Sequence, residues 1–581
     1  MTNVASARAG MTRGALRTVV GLVVLALVAA MASVAGAAQG REGPPVKAAG
    51  MGSKAALAAE NCGPDGLLAY PYQQRAPCTR VLKEGEDNGG ATYPGVTADS
   101  IKVVVLVGSP EQQTAARNQP GGSAPVDRGS GGPGSTEDSY RDWNAVIAHS
   151  FNTWGRTVEL EFVTPTGADE ASQHADALRI AEMEPFFVIN AAPTNPAAGG
   201  GQVWAADLVA KKILTHQAGA TNDEASAQSP YRWLGGFDSN AAAVNGAQVL
   251  ARMFAGGNAK WSGDFTKDKR TFGAVYPASG IDFEYFTDTF ADEGGKLATP
   301  PLEYPVPLDT SQTSTSNQQN APTIMARLKD AGVTTVANYA SFAMAQELFK
   351  AAENLDYHPE WFFPGMNAQD IEITARILNG IAPEQMKHVY GIGSLPLIVD
   401  NISDPQVNWF NWFWGPDQAV YAAGPVSPLY TLYAGISLAG PKLTPQTFEQ
   451  GLFAMPAFGG AASGQVQSFM FGYGRTSGLP YDQYSQVGLD YALMWWNPDE
   501  VGKGKILFDE GTGKFMYPND AKRFSAGQWK KGEPKLFDAS TSISHFTELP
   551  ESDQVPDYPC DGCPSTGGAS PPGSSTAASS S

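Results

Sequence analysis

Cysteine is nearly absent from this chain. Cys62 and Cys78 lie near one end and Cys560 and Cys563 near the other, four in 581 residues. That excludes a disulfide-dense scaffold, although an even count in an exported chain reads as crosslinks. Cys560-Asp561-Gly562-Cys563 also has the form of a redox motif or half a zinc site, but no partner ligands are evident in the sequence. Two disulfides, Cys62–Cys78 and Cys560–Cys563, are expected, with pairing between the two ends as the rival because chain termini often lie close together. Histidine is scarce and scattered, with six residues and no H-E-x-x-H, so no metal site is predicted. Positive charge is short as well. Lys and Arg number 39 against 58 acids, for a net charge of −19 and a pI near 4.8. Nucleic acids and anionic lipid surfaces both require basic patches, so neither is expected as a partner. G-x-S-x-G and G-x-G-x-x-G do not occur, and Gly511-Thr512-Gly513-Lys514 lacks the glycine spacing and following hydroxyl of a P-loop. No catalytic residues and no cofactor are therefore assigned. Acids are abundant enough that a hydrolase built on two carboxylates stays open.

Long apolar runs are missing too, except at the start. Arg8, Arg13 and Arg17 precede an apolar run from Val19 to about Val34, and Ala35-Gly36-Ala37 supplies an A-x-A pattern. This predicts a secretory signal spanning residues 1–37 and an extracytoplasmic protein with no stable membrane insertion, the alternative being an uncleaved anchor. Residues 38–60 are small and polar and read as a flexible lead-in to a Cys-containing extension that reaches residue 92. Asn61 to Arg80 is rich in Pro, Gly and Tyr and reads as a compact knot.

What the chain does contain is an α/β rhythm. Ile101–Val107 is an aliphatic run interrupted only by Lys102, set between the turn residues Asp87–Gly90 and Gly108-Ser109-Pro110, as in a buried parallel strand. Tyr140, Trp143, Ile147, Phe151 and Trp154 recur at helical spacing; Val158, Leu160 and Phe162 alternate as a strand. Phe186–Ile189 and Ile213–Thr215 are further strands, separated by a helix over Val203–Lys212. A long Gly/Pro/Ser loop covers Gln119–Ser135. A second series starts with a helix capped by Ser239 or Asn240 and running to about Phe254. Strands at Thr271–Tyr276, Thr334–Asn338 and Trp361–Phe363 follow, with helices between them. Alternation of this kind predicts doubly wound parallel sheets with helices on both faces.

The wording GVTADSIKVVVLVG resembles the opening of type I periplasmic substrate-binding proteins, in the branched-chain-amino-acid-binding subfamily of ABC transporter receptors. LYTLYAGISL at Leu429–Leu438 and KRFSAGQW within Gly504–Trp529 resemble that family's later segments, in order. The resemblance implies two doubly wound parallel-sheet lobes joined by a hinge of several crossings. The first lobe would take residues 93–236 and 395–482, the second 237–394 and 483–548, with 549–581 a CxxC segment and a disordered tail. It also implies ligand contacts at strand-end turns: Ser109, Thr194, Asn195, His216 and Gln217 from the first lobe, and Ser279, Tyr339, Ser341 and Asn367 from the second. Thr-Asn and His-Gln stand where the family carries smaller residues, which argues against a plain aliphatic amino acid as ligand. The function implied is a receptor that closes on a small molecule, amino-acid-like or related, and hands it to an ABC permease. A sensor or scaffold of the same fold is the alternative, and a secreted hydrolase is a third.

Overall fold

The computed structural model describes residues 44–72, 74–110, 135–167, 169–192, 202–217, 220–307, 312–395, 405–415, 425–464, 466, 468–475, 478–502, 511–546, 560 and 563. The export segment, residues 119–134 of the Gly/Pro/Ser loop and the tail 564–581 lie outside them. No helix among the described residues is long and apolar enough to cross a membrane.

The first sheet is built from β1 (Ser100–Leu106), β2 (Thr157–Val163), β3 (Phe187–Asn190), β4 (Leu214–Gln217) and β5 (Arg232–Phe237). All neighbours pair in parallel, in the order β2-β1-β3-β4-β5. Val103, Val104 and Val105 in succession are buried, as a strand covered by helices on both faces requires. Gly95 adopts φ +76°, and a Cβ there would meet the Phe186 backbone nitrogen at 2.2 Å, so only glycine lets the entry turn lie against β3.

The second sheet repeats the pattern. It contains β6 (Phe272–Pro277), β7 (Leu302–Tyr304), β8 (Thr335–Asn338), β9 (Glu360–Phe363) and β10 (Val389–Gly393), parallel in the order β7-β6-β8-β9-β10. Each sheet thus runs 2-1-3-4-5 in its own numbering, a doubly wound topology whose switch point lies between its first and third strands.

The remainder of the chain ties the lobes together. Trp409, Phe410 and the helix Val426–Ala439 pack into the first lobe's core. The short strands β11 (Gly474–Arg475) and β12 (Asp482–Gln483) follow, and β13 (Ser485–Val487) extends the first sheet parallel to β5. Then β14 (Asp490–Gly502) joins the second sheet antiparallel to β10, with β15 (Gly511–Pro518) and β16 (Arg523–Ser525) on it and β17 (Ser542–Ile543) on β15. Three crossings join the lobes up to β14, after β5, after β10, and between β13 and β14, and the chain returns to the first lobe once more after β17, where Cys560 lies in that lobe's core.

Several local expectations shift. The helix opening the second lobe is capped by Asp238, whose carboxylate accepts from Asn240 N at 2.9 Å, rather than by Ser239 or Asn240. The amphipathic helix Thr136–Ser150 stops before Phe151, which is extended at φ −113° and ψ 145°, and Trp154 takes φ +60° in the turn beyond it. Trp154 is nevertheless fully buried, its indole N–H donating to Ile436 O and Ser437 O, so the apolar period reports burial past the helix end. The lead-in is not a loose tether over its described part. Ala49 and Ala56 sit in short helices with no exposed surface, and Ala48 and Ala49 lie against Gly440. Small residues pack closely without signalling it through hydropathy.

The knot at 61–80 is crosslinked by Cys62–Cys78, with Cα atoms 5.6 Å apart. Tyr70 stacks on Trp409 at 4.4 Å, which joins the knot to the first lobe. With a sequence separation of 16 the crosslink removes much unfolded-state freedom. Replacing both cysteines with serine should lower stability by about 3 kcal/mol. A fall in the urea midpoint checks this; an unchanged midpoint would show that the knot is held by packing alone.

Candidate functional site

The topology decides where a ligand site can lie. Both β5 and β10 leave their sheets at their carboxyl ends, and so does β13, which is parallel to β5. The strand entered next, β14, runs antiparallel to β10, so it starts at that sheet's carboxyl edge. The crossing from β13 to β14 thus joins the carboxyl edge of the first sheet to the carboxyl edge of the second, and the crossings after β5 and β10 leave from carboxyl edges as well, so the chain passes between the lobes at these strand ends. In open α/β sheets the carboxyl ends of the strands at the switch point are where ligands bind.

On the first lobe this edge carries Ser109, half-buried just past β1, and His216 and Gln217 at the end of β4. Asn190 ends β3, its Oδ1 accepting from Ala192 N at 3.1 Å. Thr194 and Asn195, expected in the next turn, lie outside the described residues. His216 is 3% exposed, its ring 6.4 Å from Phe187. A Cβ on Gly235 would meet His216 Cε1 at 2.9 Å, so the bare glycine makes room for the imidazole. Burial pushes the His216 pKa down to about 3, leaving the ring neutral at neutral pH. Its Nε2 is buried with no hydrogen-bond partner among the described residues. A buried polar atom in that condition is costly unless something else satisfies it.

On the second lobe Ser279 follows β6 and is half-buried. Asn338 ends β8 with no exposed surface. Its Oδ1 accepts from Ala340 N at 3.2 Å, while its Nδ2 has no partner among the described residues. Asn367 is brought to the same edge, its Nδ2 donating to Tyr339 O at 3.1 Å. Asn338 was not singled out from the sequence, although an Asn closing a β-branched run was the available signal.

Two expected contact residues have other partners in the structure. The Tyr339 side chain is packed in a core. It has no exposed surface, its ring lies 5.1 Å from Phe283 and 5.3 Å from Phe286, and its hydroxyl reaches Ala242 O at 3.4 Å. It shares a strand face with Ala337, which belongs to the same core. Ser341 caps the helix Phe342–Asn354, its Oγ accepting from Met344 N at 3.3 Å while its own N–H donates to the Tyr304 hydroxyl. That contact uses the Oγ as an acceptor and leaves its O–H as a donor.

A belt of polar contacts missed in the sequence joins the lobes beside this edge. Tyr285 on the second lobe donates to Asp223 on the first at 2.9 Å, and Asn240 Nδ2 reaches the same carboxylate at 3.3 Å. Asp238 accepts from Tyr481 at 3.0 Å and Gln483 at 2.7 Å. Burial raises the carboxyl pKa values of both Asp223 and Asp238.

Two other features lie elsewhere. A cavity of about 470 Å³ opens beside Tyr93, Glu184, Pro185, Lys212 and Ile213, at the amino ends of β3 and β4 and so at the opposite edge of the first sheet. Ser544 Oγ lies 2.9 Å from His545 Nδ1 and 3.0 Å from Glu500 Oε1, so the acid meets the serine rather than orienting the imidazole, beside β17.

No protein-family model matches the sequence, and no curated protein matches it. Solved structures do resemble it at low identity. A periplasmic binding protein from Burkholderia mallei is 12% identical with a TM-score of 0.43, over 75% of this chain and 97% of that one. A solute-binding protein of an ABC transporter from R. palustris, in complex with 4-hydroxybenzoate, is 14% identical at 0.42, over 71% and 97%. A fatty acid ABC transporter substrate-binding protein from Thermomonospora curvata is 12% identical at 0.42, over 75% and 95%.

Proposed function

We propose that the protein is an extracytoplasmic solute-binding receptor that closes its lobes around a small molecule at the facing strand ends and delivers it to an ABC permease. The observation that carries this reading is that the chain passes between two doubly wound sheets at their carboxyl edges. At those edges the buried Nε2 of His216 and Nδ2 of Asn338 have no partners among the described residues. A neutral imidazole and an amide N–H₂ suit a head group that both donates and accepts hydrogen bonds. Hinge closure on such a ligand would create the surface a permease recognises. The departure from small residues at His216 and Gln217 favours a ligand other than a plain aliphatic amino acid. Nothing at these edges is assigned a catalytic role.

The test begins with mass spectrometry of small molecules retained by the purified full chain, followed by titration of the molecule found. His216→Leu removes a buried unpaired polar atom, so stability should hold or rise, while ligand affinity falls by at least tenfold. If affinity is unchanged in this variant, or no small molecule is retained and none shifts the melting temperature, the reading fails.

A further inference from the structure

The last described residues bring the chain back to the first lobe. After β17 on the second sheet, Cys560 lies 9% exposed against that lobe's core, its N–H donating to Trp412 O at 3.0 Å. Cys563 N–H donates to Cys560 O at 3.1 Å, so both sulfurs sit on one tight turn, with Cα atoms 5.3 Å apart. Facing them is His149, in the last turn of the helix Thr136–Ser150, its ring 5.3 Å from Phe413 and 5.9 Å from Trp412. His149 Nε2 lies 3.5 Å from Cys560 Sγ and 3.6 Å from Cys563 Sγ, and the three donor atoms fall within 4.8 Å of one another.

The two sulfurs are placed within bonding distance of each other, and each stands from the imidazole nitrogen at the separation of neighbouring ligands on one cation. With Zn–S near 2.3 Å and Zn–N near 2.0–2.1 Å at tetrahedral angles, sulfur and nitrogen ligands stand about 3.5 Å apart. We propose that Cys560, Cys563 and His149, in the dithiol state, form a binding site for zinc or a zinc-like divalent cation. Pairing Cys560 with Cys563 alone would close a ring at a separation of only 3 residues, which restricts the unfolded chain little, and gives no role to an imidazole equidistant from both sulfurs. A cation adds a link to a residue 411 positions away. Binding releases the two thiol protons to solvent and takes the imidazole as its neutral form. If the pair is first oxidised, a phosphine supplies the two electrons that open it, becoming phosphine oxide with an oxygen from water. The cluster holds three donors among the described residues, so the fourth coordination position falls to water. Because Cys560, Cys563 and His149 all lie on the first lobe, the bound cation fastens the returning end of the chain to the helix Thr136–Ser150.

The test uses the full chain kept under a phosphine reductant, with Co²⁺ as the spectroscopic probe and Zn²⁺ as competitor. One equivalent of Co²⁺ should give a thiolate-to-cobalt charge-transfer band with tetrahedral d–d bands, and one equivalent of Zn²⁺ should abolish them. C560S/C563S should remove the band, and H149A, at an exposed position, should weaken Zn²⁺ binding at least tenfold. Because reductant also opens Cys62–Cys78, alkylation with peptide mapping assigns the ligands: zinc should protect Cys560 and Cys563 and leave Cys62 and Cys78 reactive. Absence of the band in the unaltered chain, its survival in C560S/C563S, equal zinc affinity in H149A, or protection of Cys62 and Cys78 instead would each overturn the proposal.

Discussion

Arg270→Ala should destabilise the protein by about 3–5 kcal/mol, among the largest effects any single substitution here will have. Arg270 and Glu360 are both fully buried. The guanidinium meets the carboxylate through two bonds, Nε to Oε2 at 2.7 Å and Nη2 to Oε1 at 3.0 Å. Glu360 also accepts from Thr335 Oγ1 at 2.7 Å, Tyr390 at 3.1 Å and Trp261 N at 3.2 Å. Burial alone would lower the Arg270 pKa, but Glu360, Tyr390 and Glu533 more than offset that and hold it above the ordinary value. Truncation leaves Glu360 as a buried charge with only neutral donors, and removes a cation stacked 4.9 Å from Trp261. Arg270→Lys should recover only part of the loss, because an ammonium cannot copy the two-pronged contact. Urea unfolding checks both variants, and a loss below about 1 kcal/mol for Arg270→Ala would mean that the pair is solvated in solution.

The same cluster sets a pH dependence. Glu533 is partly exposed and bonds Arg270 Nη1 at 2.5 Å and Lys260 Nζ at 3.0 Å. Burial acts to raise its pKa, but the two cations prevail and hold it below the usual carboxylate range. A depressed folded pKa means stability that is present above the unfolded value and lost as pH falls through the folded one. Glu533→Gln should therefore flatten the acid side of the stability profile while leaving its neutral side little changed in slope.

How much of this was legible in the sequence follows from which interactions are local. β1 could be read because Ile101–Val107 is apolar and bracketed by turn residues, and the alternation of elements specified parallel sheets. Parity within a strand could not be read. In a sheet buried on both faces Asn338 and Tyr339 are equally plausible as edge residues, and only packing against Phe283 and Phe286 assigns Tyr339 to the core. The buried condition of His216 depends on Gly235, across the sheet on β5, and the approach of His149 to the CxxC pair spans 411 residues. Neither leaves a trace in spacing. The packed alanines Ala49 and Ala56 were hidden for the opposite reason, since small polar-looking stretches carry no apolar period even when they are buried.

The hinge carries the other large expected effect, again about 3–5 kcal/mol, on replacing Arg523 with Met. Arg523 and Asp490 are buried side by side at 1% and 0% side-chain exposure. Arg523 Nε donates to Asp490 Oδ2 at 2.9 Å and Nη2 to Oδ1 at 3.0 Å. The same guanidinium holds Ser394 O at 2.7 Å and Leu395 O at 3.0 Å, where the chain leaves β10 for the first lobe. Asp490 opens β14, where the chain returns, and its carboxylate also accepts from Ala461 N and Met470 N, both at 2.8 Å. One ion pair therefore fixes two of the crossings and a loop leading to β13. Met fills similar volume but strands a buried carboxylate and takes a donor from the carbonyls of Ser394, Leu395 and Asp490, so the cost is that of breaking the pair rather than of losing packing. Asp490→Asn with Arg523→Met should cost less than the sum of the single changes, since the charge left uncompensated in each single variant is then absent. Loss of this clamp should also widen the range of lobe orientations, read as a larger radius of gyration in small-angle scattering while the protein remains folded. An Arg523→Met variant with both an unchanged urea midpoint and an unchanged scattering profile would remove the ion pair from any role in holding the lobes.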